Sequence, residues 1–177
     1  WLLAGDARAQ QSALDEVGEV LGDRRIEVDD LARLPYLRAV IDEAMRLYPP
    51  VWLVTRRAME PDVLGGREIP AESLVIMTPY LAQRDPSAWA DPERFDPERF
   101  LGDQRGGAAA DAAYWPFGLG PRMCVGKDFA YLEATGVLAS LLQRVRVARV
   151  PGQAEPKAVP LVTLRPQDAL PLVVMPR

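Results

Sequence analysis

The stretch from Trp115 to Gly126, Trp-Pro-Phe-Gly-Leu-Gly-Pro-Arg-Met-Cys-Val-Gly, limits what this chain can become more than any other. It carries Cys124, the only cysteine among 177 residues, between a Gly/Pro/Arg-rich turn and a helical pattern over Lys127 to Arg144. Gly118, Gly120 and Gly126 admit positive φ or close backbone approach, and Pro121 stiffens the turn. A thiol at a loop-to-helix junction lies near unpaired backbone N–H groups and the positive end of a helix dipole. Both favour the thiolate, so such a loop can present one sulfur anion to a metal. Arg122, two residues earlier, can pair with an anion on the same side, and Phe117 offers an aromatic wall against water. The plainer alternative is an inert buried cysteine near a helix start.

Absences narrow the chemistry further. The chain has no histidine, which removes Ser/His/Asp and Cys/His nucleophiles, His-ligated metals and a histidine general base. It also removes haem attachment through Cys-x-x-Cys-His. One cysteine excludes an intramolecular disulfide framework, and a net charge of −4 argues against bulk nucleic-acid binding. No apolar run approaches the length of a membrane span and no secretory signal opens the chain, so a cytoplasmic location is expected. Basic residues are nearly all Arg, and Ala and Pro abound, pointing to a GC-rich bacterial source. The first residue is Trp1, in a helical pattern, which is expected of a fragment of a longer protein.

Periodicity predicts a mainly α chain with small β-sheets. Helical spacing covers Trp1 to Leu21, most clearly in its second half, with Gly22 as a stop. Asp29-Asp30 can cap a short turn of helix. Leu34 to Tyr48 is a helix with Pro35 at its start, an apolar stripe from Leu37 to Tyr48, and Pro49-Pro50 as its end. Val51 to Ala58 reads as a strand, Asp62 to Pro70 as a hairpin with a Gly65-Gly66 turn, Leu74 to Thr78 as a strand, and Tyr80 to Arg84 as a short helix. Asp91 to Phe100 states a five-residue Asp-Pro-Glu-Arg-Phe unit twice and reads as turns. Gln104 to Ala113 reads as a mobile surface loop. After the helix that follows the cysteine, Val145 to Val150 is a strand. Pro151 to Pro160 is a Pro-rich turn region, and Val159 to Arg165 with Leu170 to Met175 form a closing hairpin.

The spacing Phe117-x-x-Gly120-x-Arg122-x-Cys124-x-Gly126 resembles the haem-binding signature of the cytochromes P450. Five fixed residues recur by chance at about one position in three million. Glu43-x-x-Arg46, a common surface pair when alone, stands here between Leu34-Pro35-Tyr36 and Leu47-Tyr48-Pro49-Pro50 and resembles that family's Glu-x-x-Arg helix. The second Pro97-Glu98-Arg99-Phe100 copy resembles the segment that completes the triad, with Arg94 as the alternative to Arg99. Ala130 and Glu133 also fit the pattern. The resemblance covers the whole chain and implies the C-terminal portion of the P450 fold, without the central oxygen-activating helix and the N-terminal part.

It further implies haem b with Cys124 thiolate as axial ligand, and Phe117, Gly118, Gly120, Arg122 and Gly126 lining the cofactor. Arg56 would hold a propionate, with Arg57 the alternative. Val51, Trp52, Leu53, Val54, Leu161, Val162 and Thr163 would face substrate. The implied function is insertion of one oxygen atom of O2 into a C–H bond of a small organic substrate. A ferredoxin or flavoprotein would supply electrons at a surface to which Arg122, Lys127 and Arg144 contribute. Other readings are a non-catalytic remnant or interaction module, and a P450-fold enzyme that uses or rearranges a peroxide.

Overall fold

The structure, a computed structural model, describes residues 1–102 and 107–177. The first helical stretch is broken rather than continuous: α1 (Leu2–Gly5) and α2 (Ala7–Leu21) meet at Asp6. There an extended backbone lets the Asp6 carboxylate accept from the Ala9 N–H at 2.8 Å and start a second helix. Gly22, at φ +53°, ends α2. The Asp29-Asp30 pair lies in a short 3-10 helix, Val28–Arg33, whose Glu27 and Asp30 side chains each reach the other's backbone in a capping box.

Helix α3 (Pro35–Leu47) begins on Pro35. Its next two N–H groups, of Tyr36 and Leu37, donate to the Glu16 carboxylate of α2 at 2.7 and 2.9 Å. The two helices are therefore locked by a cap borrowed across the core, a partner that spacing alone does not reveal. Leu14, Val17, Leu34, Leu37 and Val40 form the centre of that core, joined from the far side by Ala139 and Leu142.

The strand expected over Val51 to Ala58 is shorter, β1 (Val54–Arg57); residues 51–53 are irregular. The strand β2 (Asp62–Leu64) and β3 (Arg67–Ile69) form the Gly65-Gly66 hairpin, with both glycines at positive φ. The chain then returns as β4 (Leu74–Met77) to pair antiparallel with β1, followed by the short helix α4 (Pro79–Ala82). Where a loop is expected over Gln104 to Ala113, residues 107–113 are helical, α5 (Gly107–Ala113), and the preceding part lies outside the described residues. Its alanine-rich sequence has high helix propensity, which a reading based on low complexity undervalues.

Helix α6 (Lys127–Leu142) follows the cysteine loop. The closing hairpin is a correction. Strand β6 (Ala158–Pro160) pairs with β7 (Leu164–Pro166), while β8 (Leu172–Pro176) pairs with β5 (Val145–Arg149). The Gln167 N–H still bonds to the Lys157 carbonyl at 2.8 Å, so the Pro166-Gln167-Asp168 stretch extends the β6–β7 pair instead of turning into β8. Among the described residues all pairing is antiparallel, in two-stranded sheets around the helices.

Candidate functional site

Glu43 and Arg46 stand one turn apart on α3, both with side chains 0% exposed. Arg46 Nε and Nη2 donate to the two Glu43 oxygens at 2.6 and 2.9 Å. Its remaining N–H groups reach the carbonyls of Gln83 and Pro92, both at 2.7 Å, and of Arg94 at 3.2 Å. All five guanidinium donors are thereby used. Arg99 Nε reaches Glu43 Oε1 at 3.2 Å, and the Asp96 N–H joins the same oxygen at 2.9 Å. Arg99 also donates to the carbonyls of Ala90, Asp91 and Arg94. A turn-rich segment with little regular structure is thus wound around two guanidinium groups. The alternative, Arg94, contributes its carbonyl; its side chain stands 4.0 Å from Asp96. Trp89, buried beneath, faces Arg46 at 5.2 Å and packs on Phe100 and Tyr114.

Two further buried groups, Gln83 and Asp42, tie this triad helix to the cysteine loop. Gln83 Nε2 donates to the Met45 and Arg46 carbonyls at 3.0 Å, and its Oε1 accepts from the Trp115 N–H at 3.2 Å. Asp42 Oδ1 accepts from Tyr114 at 2.7 Å and from Tyr131 at 2.5 Å, and Asp42 Oδ2 from Arg38 Nε at 3.1 Å. Burial and the neighbouring carboxylate push the Tyr131 phenol up to about 12 and raise that of Tyr114 further, so both remain O–H donors at neutral pH. Sequence reading misses Gln83, Asp42 and Trp89. The one available signal is a large aromatic, Trp89, just before the turns of Asp91 to Phe100.

Cys124 is exposed, not buried, which removes the inert-core alternative. Its N–H bonds to the Phe117 carbonyl at 2.9 Å, closing the loop across Gly118 (φ +76°) and Gly120 (φ +67°). Residues 120–122 make a 3-10 turn, and Gly126 caps α6. A Cβ on Gly126 would stand 3.8 Å from Cys124 Sγ, and one on Gly120 would meet no described atom within 4 Å. Phe117 packs on Tyr131 with ring centroids 5.2 Å apart. Leu119, Met123, Val125 and Phe129 stand exposed in and just after the loop. Ala130 is half-buried and Glu133 exposed on α6.

Arg122 and Arg56 are exposed with no carboxylate partner among the described residues, whereas Arg57 is paired with Glu72 at 2.8 Å. Arg56 Nη1 donates to the neighbouring Thr55 carbonyl at 2.8 Å. Lys127 opens α6, about 24 Å long by helix rise, and Arg144 lies two residues past its far end at Leu142, so Arg144 does not share a patch with Arg122.

The two candidate substrate segments lie side by side. Trp52 Nε1 donates to the Leu161 carbonyl at 2.8 Å, the Leu164 N–H to the Pro50 carbonyl at 2.9 Å, and the Thr78 hydroxyl to the Trp52 carbonyl at 2.8 Å. Val51, Leu161 and Val162 are exposed, Leu53, Val54 and Thr163 half-buried. An open cavity of about 740 Å³ lies elsewhere. It is an open apolar groove between Trp1, Ile41, Met45, Leu141 and Leu172, and none of the predicted site residues lines it.

No cluster of three His, Cys, Asp or Glu that could hold a metal ion occurs among the described residues. A lone exposed thiol beside apolar side chains is a poor chelator of a bare ion. It suits the axial position of a metal that a macrocycle already holds.

A family model described as Cytochrome P450 matches residues 1–172. The chain is 42% identical to cyclooctatin synthase of Streptomyces melanosporofaciens over 86% of its own length and 33% of that protein. It is 38% identical to cyclooctat-9-en-7-ol 5-monooxygenase of the same organism, over 85% and 33%. With cytochrome P450 4F4 of Rattus norvegicus it shares 39% identity over 99% and 34%. The chain spans about a third of the length of the curated relatives it matches.

Proposed function

We propose, from the premise that this chain belongs to the cytochrome P450 family, that it is the haem-ligating C-terminal part of a monooxygenase acting on a small organic substrate. The observation that carries the reading is the exposed Cys124 at the head of α6, on a loop braced through Gln83 and Asp42 against the buried Glu43–Arg46 pair. When bound, haem b supplies activation of O2 for insertion of one oxygen atom into a C–H bond.

The chain's own residues do the rest. Cys124 Sγ would supply the thiolate ligand to the haem iron. Gly118, Gly120 and Gly126 would keep side chains away from the cofactor, and Phe117 would help exclude water from it. Arg56 and Arg122, exposed and without a carboxylate partner among the described residues, would take the propionates; Arg guanidinium groups can bind both oxygens of a carboxylate. Val51 to Val54 and Leu161 to Thr163, joined through Trp52, face substrate. The exposed Arg122, with Lys127 beside it, offers a docking point for a ferredoxin or flavoprotein donor. By itself, residues 1–177 carry the ligand for iron without the groups that handle the protons of bound dioxygen, and we infer that the isolated chain does not turn over.

The reduced, CO-bound difference spectrum of the full-length protein tests this. A thiolate-type Soret band that disappears in Cys124→Ser is the expected result. Absence of the band in correctly folded full-length protein, or its survival in Cys124→Ser, would sink the proposal.

A further inference from the structure

Asp42 and Glu43 are consecutive on α3, so their side chains leave the helix about 100° apart. Glu43 faces the turn segment; Asp42 faces the two ends of the cysteine loop. Its side chain is only 7% exposed. One oxygen, Oδ1, receives both the Tyr114 hydroxyl, one residue before the loop begins at Trp115, and the Tyr131 hydroxyl, on the second turn of α6 beyond the loop. The Tyr131 ring is held from one side by the Arg38 guanidinium, 3.2 Å from its centroid, and contacts Phe117 of the loop itself. Arg38 in turn donates to the other Asp42 oxygen.

We propose that Asp42, through Tyr114 and Tyr131, is a positioning residue for Cys124: it fixes both ends of the loop to α3 and so sets where the sulfur stands. This rests on the haem-thiolate reading above. A loop tied at both ends to a single buried oxygen cannot slide along α6, because any shift at Tyr131 also strips a hydroxyl from Asp42. Without the clamp the loop samples other geometries, and the place of the sulfur is no longer fixed.

The test uses full-length protein carrying Tyr114→Phe with Tyr131→Phe, which keeps both rings and deletes both hydroxyls. In the haem-free form, amide exchange at residues 117–126 should quicken by roughly tenfold, while β5 and β8 stay at the wild-type rate. In the haem-loaded form, part of the thiolate-type Soret band should move to the thiol-ligated form. Unchanged loop exchange, a rise shared equally by β5 and β8, or an unaltered band would each overturn the proposal. The exchange measurement needs no haem, so it decides the clamp even if the wild type shows no thiolate band.

Discussion

Every donor on the Arg46 guanidinium is committed. Arg46→Lys keeps the charge but offers three donors in a different geometry. It should lower stability by about 3–5 kcal/mol, as expected when a buried pair is broken, measured by denaturant unfolding of the full-length protein. Arg99→Ala should cost less, about 1–2 kcal/mol, since Arg99 keeps some exposure and stands farther from Glu43. Equal losses for the two variants would contradict this ordering. Gln83→Leu leaves two buried carbonyls and the Trp115 N–H without partners and should cost roughly 2–3 kcal/mol in the same assay. The spacing of Glu43, Arg46 and Arg99 in the sequence is enough to nominate them. Gln83 and Asp42 are not legible in that way, because a single polar residue reveals nothing of which distant carbonyl or hydroxyl it will meet.

Elements were legible where the signal is local and blurred where a partner decides. Pro35 and Gly22 mark helix ends through their own backbones, and the Gly65-Gly66 hairpin follows from turn chemistry. The break at Asp6 is an N-cap inside a helical pattern, and the pairing of β8 with β5 rather than β7 is a tertiary choice. The Glu16 cap on α3 is likewise tertiary. Glu16→Ala should lower the melting temperature by the equivalent of about 1 kcal/mol; an unchanged melting temperature would show that the cap is idle.

Asp30 provides the acid-sensitive joint. Hydrogen bonds from Arg24, then from the Glu27 N–H, lower its carboxyl to about 2 in the folded chain. A lowered folded value stabilises above the unfolded value, and that support fades as pH falls toward about 2. Asp30→Asn should therefore narrow the gap in stability between pH 7 and acid conditions, read from unfolding midpoints across pH. A parallel curve would reject the assignment.

At the scale of the molecule, α6 is the telling element. It buries Tyr131, Thr135, Ala139 and Leu142 against the other helices, yet leaves Phe129 68% exposed and Leu132, Val137 and Leu141 exposed as well. A helix apolar on all sides is built for burial on all sides. Residues 1–177 expressed alone should bind a hydrophobic dye and self-associate with rising concentration, checked by dye fluorescence and sedimentation; a monodisperse, dye-silent fragment would contradict this. The chain spans about a third of the length of the curated relatives it matches, and no element among the described residues covers this face of α6. The exposed lone thiol has a consequence of its own. Within this chain a thiol-selective maleimide has one sulfur to label, so its stoichiometry counts the molecules whose thiol is free. Oxidation can link two chains once, never into a longer polymer.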